Sequence, residues 1–249
     1  RSGRKTAISA YYWFEKLVPQ AAVHASFYTS GDDRAADREV VDAALPMLKD
    51  PGYALVLIHL DQVDYAGHHE GGPRDANWDA AAARADGLLG ELLVQLDLEK
   101  DTVLVVSDHG HIDQGGHGGP DPVALVEPFI LAGASVRPGV YGDVDMVDVA
   151  PTIAALLGAN LPASTQGRVR SEMLNLSPAT QASLPAAMRA QQTGLVQAYT
   201  SAIGQPSTPA QLSSATTVAE FQILIDSAIS ARLTGERIPR LLLAFVLVA

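Results

Sequence analysis

Apolar positions fall along this 249-residue chain in two distinct rhythms. Short, nearly continuous apolar runs at Lys5 to Ala10, His24 to Thr29, Tyr53 to Leu60, Thr102 to Val106 and Pro128 to Gly133 predict strands. The Tyr53 run is so uniformly apolar that it predicts burial on both faces. Between the runs, apolar residues recur every three or four positions. Val40, Val41, Ala44, Leu45 and Leu48 make one face of a predicted helix over Asp33 to Lys49, which Asp50, Pro51 and Gly52 end. Trp78, Ala82, Ala85, Leu89, Leu92 and Leu96 do the same for a longer helix over Arg74 to Leu98. A further helix is predicted over Asp148 to Leu157, with Asp148 as N-cap and Gly158 as stop. This alternation predicts an α/β fold: a mainly parallel sheet flanked by helices. The Tyr53 and Thr102 strands with the Arg74 helix between them read as a βαβ unit, which sets both C-terminal strand ends at one edge.

Beyond Ser171 the pattern changes. Two Ala/Gln/Ser-rich helical stretches, Thr180 to Ile203 and Pro209 to Leu233, are separated by Gln205, Pro206, Ser207 and Thr208. They predict a helical C-terminal extension, a stalk or hairpin over residues 171–236. An apolar run, Leu241 to Ala249, then follows Arg237, Pro239 and Arg240. It is shorter than the roughly 20 residues that span a bilayer. We read residues 237–249 as the start of a transmembrane helix that anchors the protein. Composition is that of a large globular domain. The formal net charge of -11 argues against a nucleic-acid backbone as partner. Cysteine is absent, which excludes disulfides and thiolate metal sites.

The chemistry gathers after two strands. The Tyr53 strand runs into Asp64 and His68 in a D-x-x-x-H spacing, expected on a loop. The Thr102 strand ends in Ser107, Asp108, His109 and Gly110, and a glycine-rich loop then carries His117. Carboxylate and imidazole are ligands for a zinc-like ion, and parallel α/β sheets place their sites at this end of the strands. Gly110 is expected to permit the kink that splays Asp108 from His109. His69 reads as a solvated loop histidine, and Asp61, His111 and Asp113 have no assigned role. Tyr11, Tyr12, Trp13 and Phe14 read mainly as aromatics capping the sheet.

Asp64-Tyr-Ala-Gly-His68, Ser107-Asp108-His109-Gly110 and Gly116-His117-Gly118-Gly119, in that order, resemble the alkaline phosphatase superfamily, and within it the type I phosphodiesterase/nucleotide pyrophosphatase branch. The ethanolamine-phosphate transferases share a similar pattern. The resemblance covers roughly Lys5 to Arg168, and residues 1–170 read as the C-terminal portion of such a catalytic domain. It implies two divalent metal ions, zinc or alternatively manganese. Asp64, His68 and His117 would hold one, and Asp108 and His109 the other. It implies hydrolysis of phosphodiesters or nucleotide pyrophosphates through a Thr or Ser nucleophile. The alternatives are a phosphoethanolamine transferase, a phosphomonoesterase, a sulfatase, a phosphoglycerate or phosphopentose mutase, or an inactive metal-binding fragment. The family's first metal-ligand Asp and its nucleophile precede the alignable region, so the nucleophile is expected outside these residues. Thr6 and Ser9 lie in a strand without that context and are rejected. Substrates are expected to be small or lipid-linked phosphate esters, on a membrane-anchored protein whose catalytic domain faces outside the cytoplasm.

Overall fold

The computed structural model describes residues 3–248, with side chains through Leu241. In chain order the elements are β1 (Lys5–Tyr11), α1 (Phe14–Leu17), β2 (Ala25–Thr29), α2 (Ala36–Lys49), β3 (Tyr53–Ile58), α3 (Gln62–His69) and α4 (Ala76–Leu93). Then come β4 (Thr102–Val106), α5 (Pro122–Leu125), β5 (Phe129–Gly133), α6 (Val149–Leu156), α7 (Pro178–Ala202), α8 (Pro209–Ser214) and α9 (Val218–Val248). The chain divides into two compact units, Arg1–Val136 and Arg137–Ala249.

The first unit is built on a parallel sheet of order β2-β1-β3. Its central strand, β1, is the strand covered on both faces: Ala7 to Tyr11 are all buried. Ser9 is polar in that setting, and its hydroxyl donates to the Val40 carbonyl at 2.6 Å, so burial leaves it paired. Helix α2 lays Val40 against Tyr11, and Val41 and Ala44 against Leu92 of α4. Strand β3 departs from expectation. Among the described residues it is hydrogen-bonded along one side only, and its side chains are half-buried or exposed. An apolar run is thus compatible with a partly covered edge strand and does not fix a central position.

The pairing of β4 also departs from expectation. It is not laddered to β3; it pairs antiparallel with β5, with Leu104 opposite Leu131. The chain turns back through the loop at 107–128, so β5 returns alongside β4. That loop carries half of the candidate site.

The second unit is mostly helical. Asp148 stands at the N-cap position of α6 as expected, but its side chain makes no cap bond; its Oδ1 accepts the Arg168 N–H at 2.8 Å and its other oxygen faces the Arg170 guanidinium at 3.5 Å. It therefore clasps the 168–170 segment instead. Gln191 and Gln192 of α7 donate to carbonyls of Ala163, Thr165 and Gly167, tying that helix to the stretch just before that segment. The second predicted helical stretch is two helices, because Thr217 and Glu220 start a new one: the Glu220 carboxylate accepts from the Thr216 and Thr217 N–H groups, and Thr217 Oγ1 accepts from Glu220 N–H. Val196, Leu212, Ala215, Phe221 and Ile225 form the shared core of α7, α8 and α9. Among the described residues no helix is long and apolar enough to cross a membrane. The side chains of the expected anchor, from residue 242 on, lie outside those described.

Candidate metal centre

The first half of the site rests on α3, and α3 is set by a buried carboxylate. Asp37, in the first turn of α2 and 2% exposed, accepts from the Tyr11 hydroxyl and the Asp61 N–H, both at 2.8 Å, and from the Gln62 N–H at 3.4 Å. Gln62 in turn donates to the Asp33 carbonyl at 2.6 Å. This network fixes where the chain leaves β3 and enters α3. Asp64 and His68 thus stand on a helix rather than the expected loop. Their D-x-x-x-H spacing is one helical turn, which sets both on one face.

The second half is the loop from Ser107 to Gly119. Gly115, Gly116, Gly118 and Gly119 all have positive φ, which explains the density of glycine around His117. Others are needed for close approach. A Cβ on Gly115 would lie 2.1 Å from the Gly67 carbonyl, and one on Gly72 would lie 2.2 Å from the Gly115 nitrogen. The loop is therefore pressed onto α3. Asp113 pairs with Arg74 and pins its outer edge. Gly110 does not supply a left-handed kink; a Cβ there would meet the Val123 carbonyl at 2.4 Å.

Asp64 is the hub where the halves meet. Its Oδ1 lies 2.8 Å from His111 Nε2, 3.6 Å from both His68 Nε2 and His117 Nε2, and 3.8 Å from His109 Nε2. The His109 and His117 rings stack with centroids 3.7 Å apart. Two sets of ligand atoms lie within 4.8 Å of one another: Asp64, His68 and His117, and Asp64, His109 and His111. Ligand bonds of about 2.0–2.1 Å around a tetrahedral ion set ligand atoms roughly 3.4 Å apart, so the 3.6 Å separations fit such an ion. Burial, then neighbouring His109, holds the His117 imidazole below its usual range, which favours the neutral form that ligates metal.

Asp64, His68, His109 and His117 are thus brought together. Asp108 stands at the margin, its side chain 79% exposed and its carboxylate 3.8 Å from His109 Nε2. It joins neither three-residue set. His69 packs its ring on Tyr65. Four residues carry no role in the sequence reading. His111, 5% exposed, bonds Asp64; the His109-x-His111 repeat was the available signal. Asp61 lies beside the centre with its carboxyl pushed up to about 7, by burial first and then by Asp64. His59 is packed among Tyr11, Trp13 and Phe14, and burial lowers its pKa. Glu127 has a buried, unpaired Oε1, and burial raises its pKa.

The profile of the type I phosphodiesterase/nucleotide pyrophosphatase family matches residues 2–200. The chain belongs to that family, within the alkaline phosphatase superfamily. The family chain is 27% identical over 183 residues to the Mus musculus GPI ethanolamine phosphate transferase 3, catalytic subunit, a match covering 70% of this chain and 16% of that protein. It is 27% identical over 169 residues to a Candida albicans GPI ethanolamine phosphate transferase 2, covering 63% and 19%. It is 31% identical over 149 residues to the Gloeobacter violaceus 2,3-bisphosphoglycerate-independent phosphoglycerate mutase, covering 53% and 26%. The chain thus spans about a sixth to a quarter of the length of these relatives. Their names are those of phosphoester-handling enzymes.

Proposed function

We propose that this chain carries the metal-binding part of an enzyme that cleaves phosphodiesters or nucleotide pyrophosphates. The convergence of Asp64, His68 and His117 within ligand reach of one another is the observation that supports it best. In this reading those three hold one divalent ion, zinc or alternatively manganese, and Asp108 and His109 contribute to a second. Ions held there supply Lewis-acid stabilisation of charge on the phosphoryl oxygens. The chain's own residues do the rest. The His117 imidazole is held toward its neutral, ligating form, the glycine loop holds His117 in place, and the Asp37 network fixes the start of the helix that carries Asp64 and His68. The Thr or Ser nucleophile comes from outside these residues.

A second reading has equal support, from the relatives. Two of them are named ethanolamine phosphate transferases. In that reading the phosphoethanolamine group passes to an alcohol rather than to water, the substrate is lipid-linked, and the protein sits at a membrane through its C-terminal end with this domain outside the cytoplasm. Product analysis of the full-length protein with and without an alcohol acceptor separates the two.

The metal claim is tested on the chain itself. After zinc loading and dialysis, elemental analysis should find about one tightly held equivalent. Asp64→Ala should lose it and His68→Ala should weaken it. Retention of zinc by Asp64→Ala would refute the assignment.

A further inference from the structure

We propose that His111 is not a metal ligand but a positioning residue: it orients the Asp64 carboxylate and locks the His117 loop to it. The inference rests on the metal reading above and deepens it. Its ground is the pairing of both ring nitrogens. The Gly116 backbone N–H donates to His111 Nδ1 at 3.0 Å. A nitrogen that accepts a hydrogen bond carries no proton, so in the neutral ring the proton sits on Nε2. That Nε2–H donates to Asp64 Oδ1 at 2.8 Å.

The tautomer decides between two roles. His111 belongs to a set of residues, with Asp64 and His109, spaced for an ion. To ligate through Nε2 it would have to place its proton on Nδ1, facing the Gly116 N–H. Two donors would then point at each other in a pocket where the residue is 5% exposed, and no solvent would relieve them. Donation to Asp64 leaves every group paired. Metal-ligating histidines ordinarily donate to a carboxylate behind them. Here the order is reversed: the carboxylate faces the ion and the histidine stands behind it.

Two features show that the position is built for this ring. A Cβ on Gly67 would lie 2.4 Å from His111 Cε1 and Nδ1, so the α3 backbone opens a glycine-sized gap for it. The bond from Gly116 lands one residue before His117, so one ring couples the α3 ligand to the loop ligand.

Three variants separate the parts. His111→Gln can keep a donor toward Asp64, His111→Asn can keep an acceptor toward Gly116, and His111→Phe keeps only bulk. Zinc affinity by competitive titration should fall about 10–100-fold in His111→Phe and recover much of that in His111→Gln. The cobalt-substituted protein should keep its ligand-field absorption envelope in His111→Gln, because no ligand is lost, whereas His68→Ala should change it. Wild-type affinity in His111→Phe overturns the proposal; so does a His111→Gln variant that falls as far as His68→Ala and changes the cobalt spectrum as it does. Should His111→Phe fail to fold, Gly67→Ala displaces the ring instead and should give the same loss; unchanged affinity there also overturns it. Long-range proton–nitrogen spectra of the metal-free protein should find Nδ1 unprotonated, and the opposite tautomer overturns the proposal without reference to metal. A wild-type chain that shows this tautomer yet takes up no zinc would instead overturn the metal reading itself.

Discussion

At the scale of the residue, the centre runs on pairs whose environments push their charges apart. Asp61 shows it best. Burial raises its carboxyl to about 7, and the charges of Asp64, Asp37 and Asp108 add to the shift. A carboxyl whose folded-state pKa is raised contributes stability that is present below its unfolded value, near 4, and lost as pH rises through about 7. Asp61→Asn keeps the shape and removes the ionisation. In chelator, the variant should match wild type at pH 4 and exceed it at pH 8 by on the order of 2–4 kcal/mol. Urea unfolding at both pH values checks this, and parallel pH dependence in the two proteins would refute it. The same scale explains what a sequence can show of this site. Asp64, His68, Asp108, His109 and His117 stand in short motifs and are visible as such. His111 and Asp61 are not: their parts depend on burial and on which nitrogen meets which backbone group, and no spacing encodes either.

At the scale of the element, local period identified strands and helices well, while neighbours and cover escaped it. The Thr102 to Val106 strand is observed with those bounds, yet its partner is β5 and not β3. Nothing in an apolar pentapeptide names the strand it will pair with. The helix bearing Asp64 reads as loop in the sequence because its eight residues, Gln62–His69, are too few to show a helical apolar repeat; its position is imposed by the Asp37 network rather than by amphipathic pattern. Where packing does decide, the consequence is measurable. Leu92 of α4 is 6% exposed and packs on Val41 and Ala44 of α2, whereas Val94, just past the helix, is 78% exposed. Leu92→Ala should cost about 2–4 kcal/mol and Val94→Ala close to nothing. Both tryptophans, Trp13 and Trp78, lie in the first unit, so their fluorescence in urea follows this core. Equal midpoints for the two variants would show that α4 does not carry the packing ascribed to it. Acid tests the start of α9: the Glu220 carboxyl is held at about 2 by the Thr216 N–H, then by the Thr216 hydroxyl and Thr217 N–H. Its contribution is present above about 4.5 and lost as pH falls through about 2, so Glu220→Gln should destabilise the helix at pH 6 and make much less difference at pH 2, as circular dichroism would show.

At the scale of the molecule, the chain carries 28 acidic against 17 basic residues, and its field repels an anionic phosphate ester. The four imidazoles around Asp64 do not reverse this while they are neutral, and His117 is held toward neutrality. Phosphate should therefore bind only when divalent ions are loaded. Turnover asks for more than binding, since a covalent route needs a free hydroxyl at the phosphorus. Two serines of the first unit are committed elsewhere. Ser9 is fully buried and donates to Val40, and Ser107 donates its hydroxyl to the His109 carbonyl at 2.8 Å. If the proposed nucleophile lies outside them, zinc-loaded protein of these 249 residues should thus bind phosphate and yet show no appreciable release of nitrophenol from a bis-nitrophenyl phosphodiester. Robust turnover by the 249-residue chain, abolished by His68→Ala, would mean that a nucleophile lies within it and that the assignment of these hydroxyls is wrong.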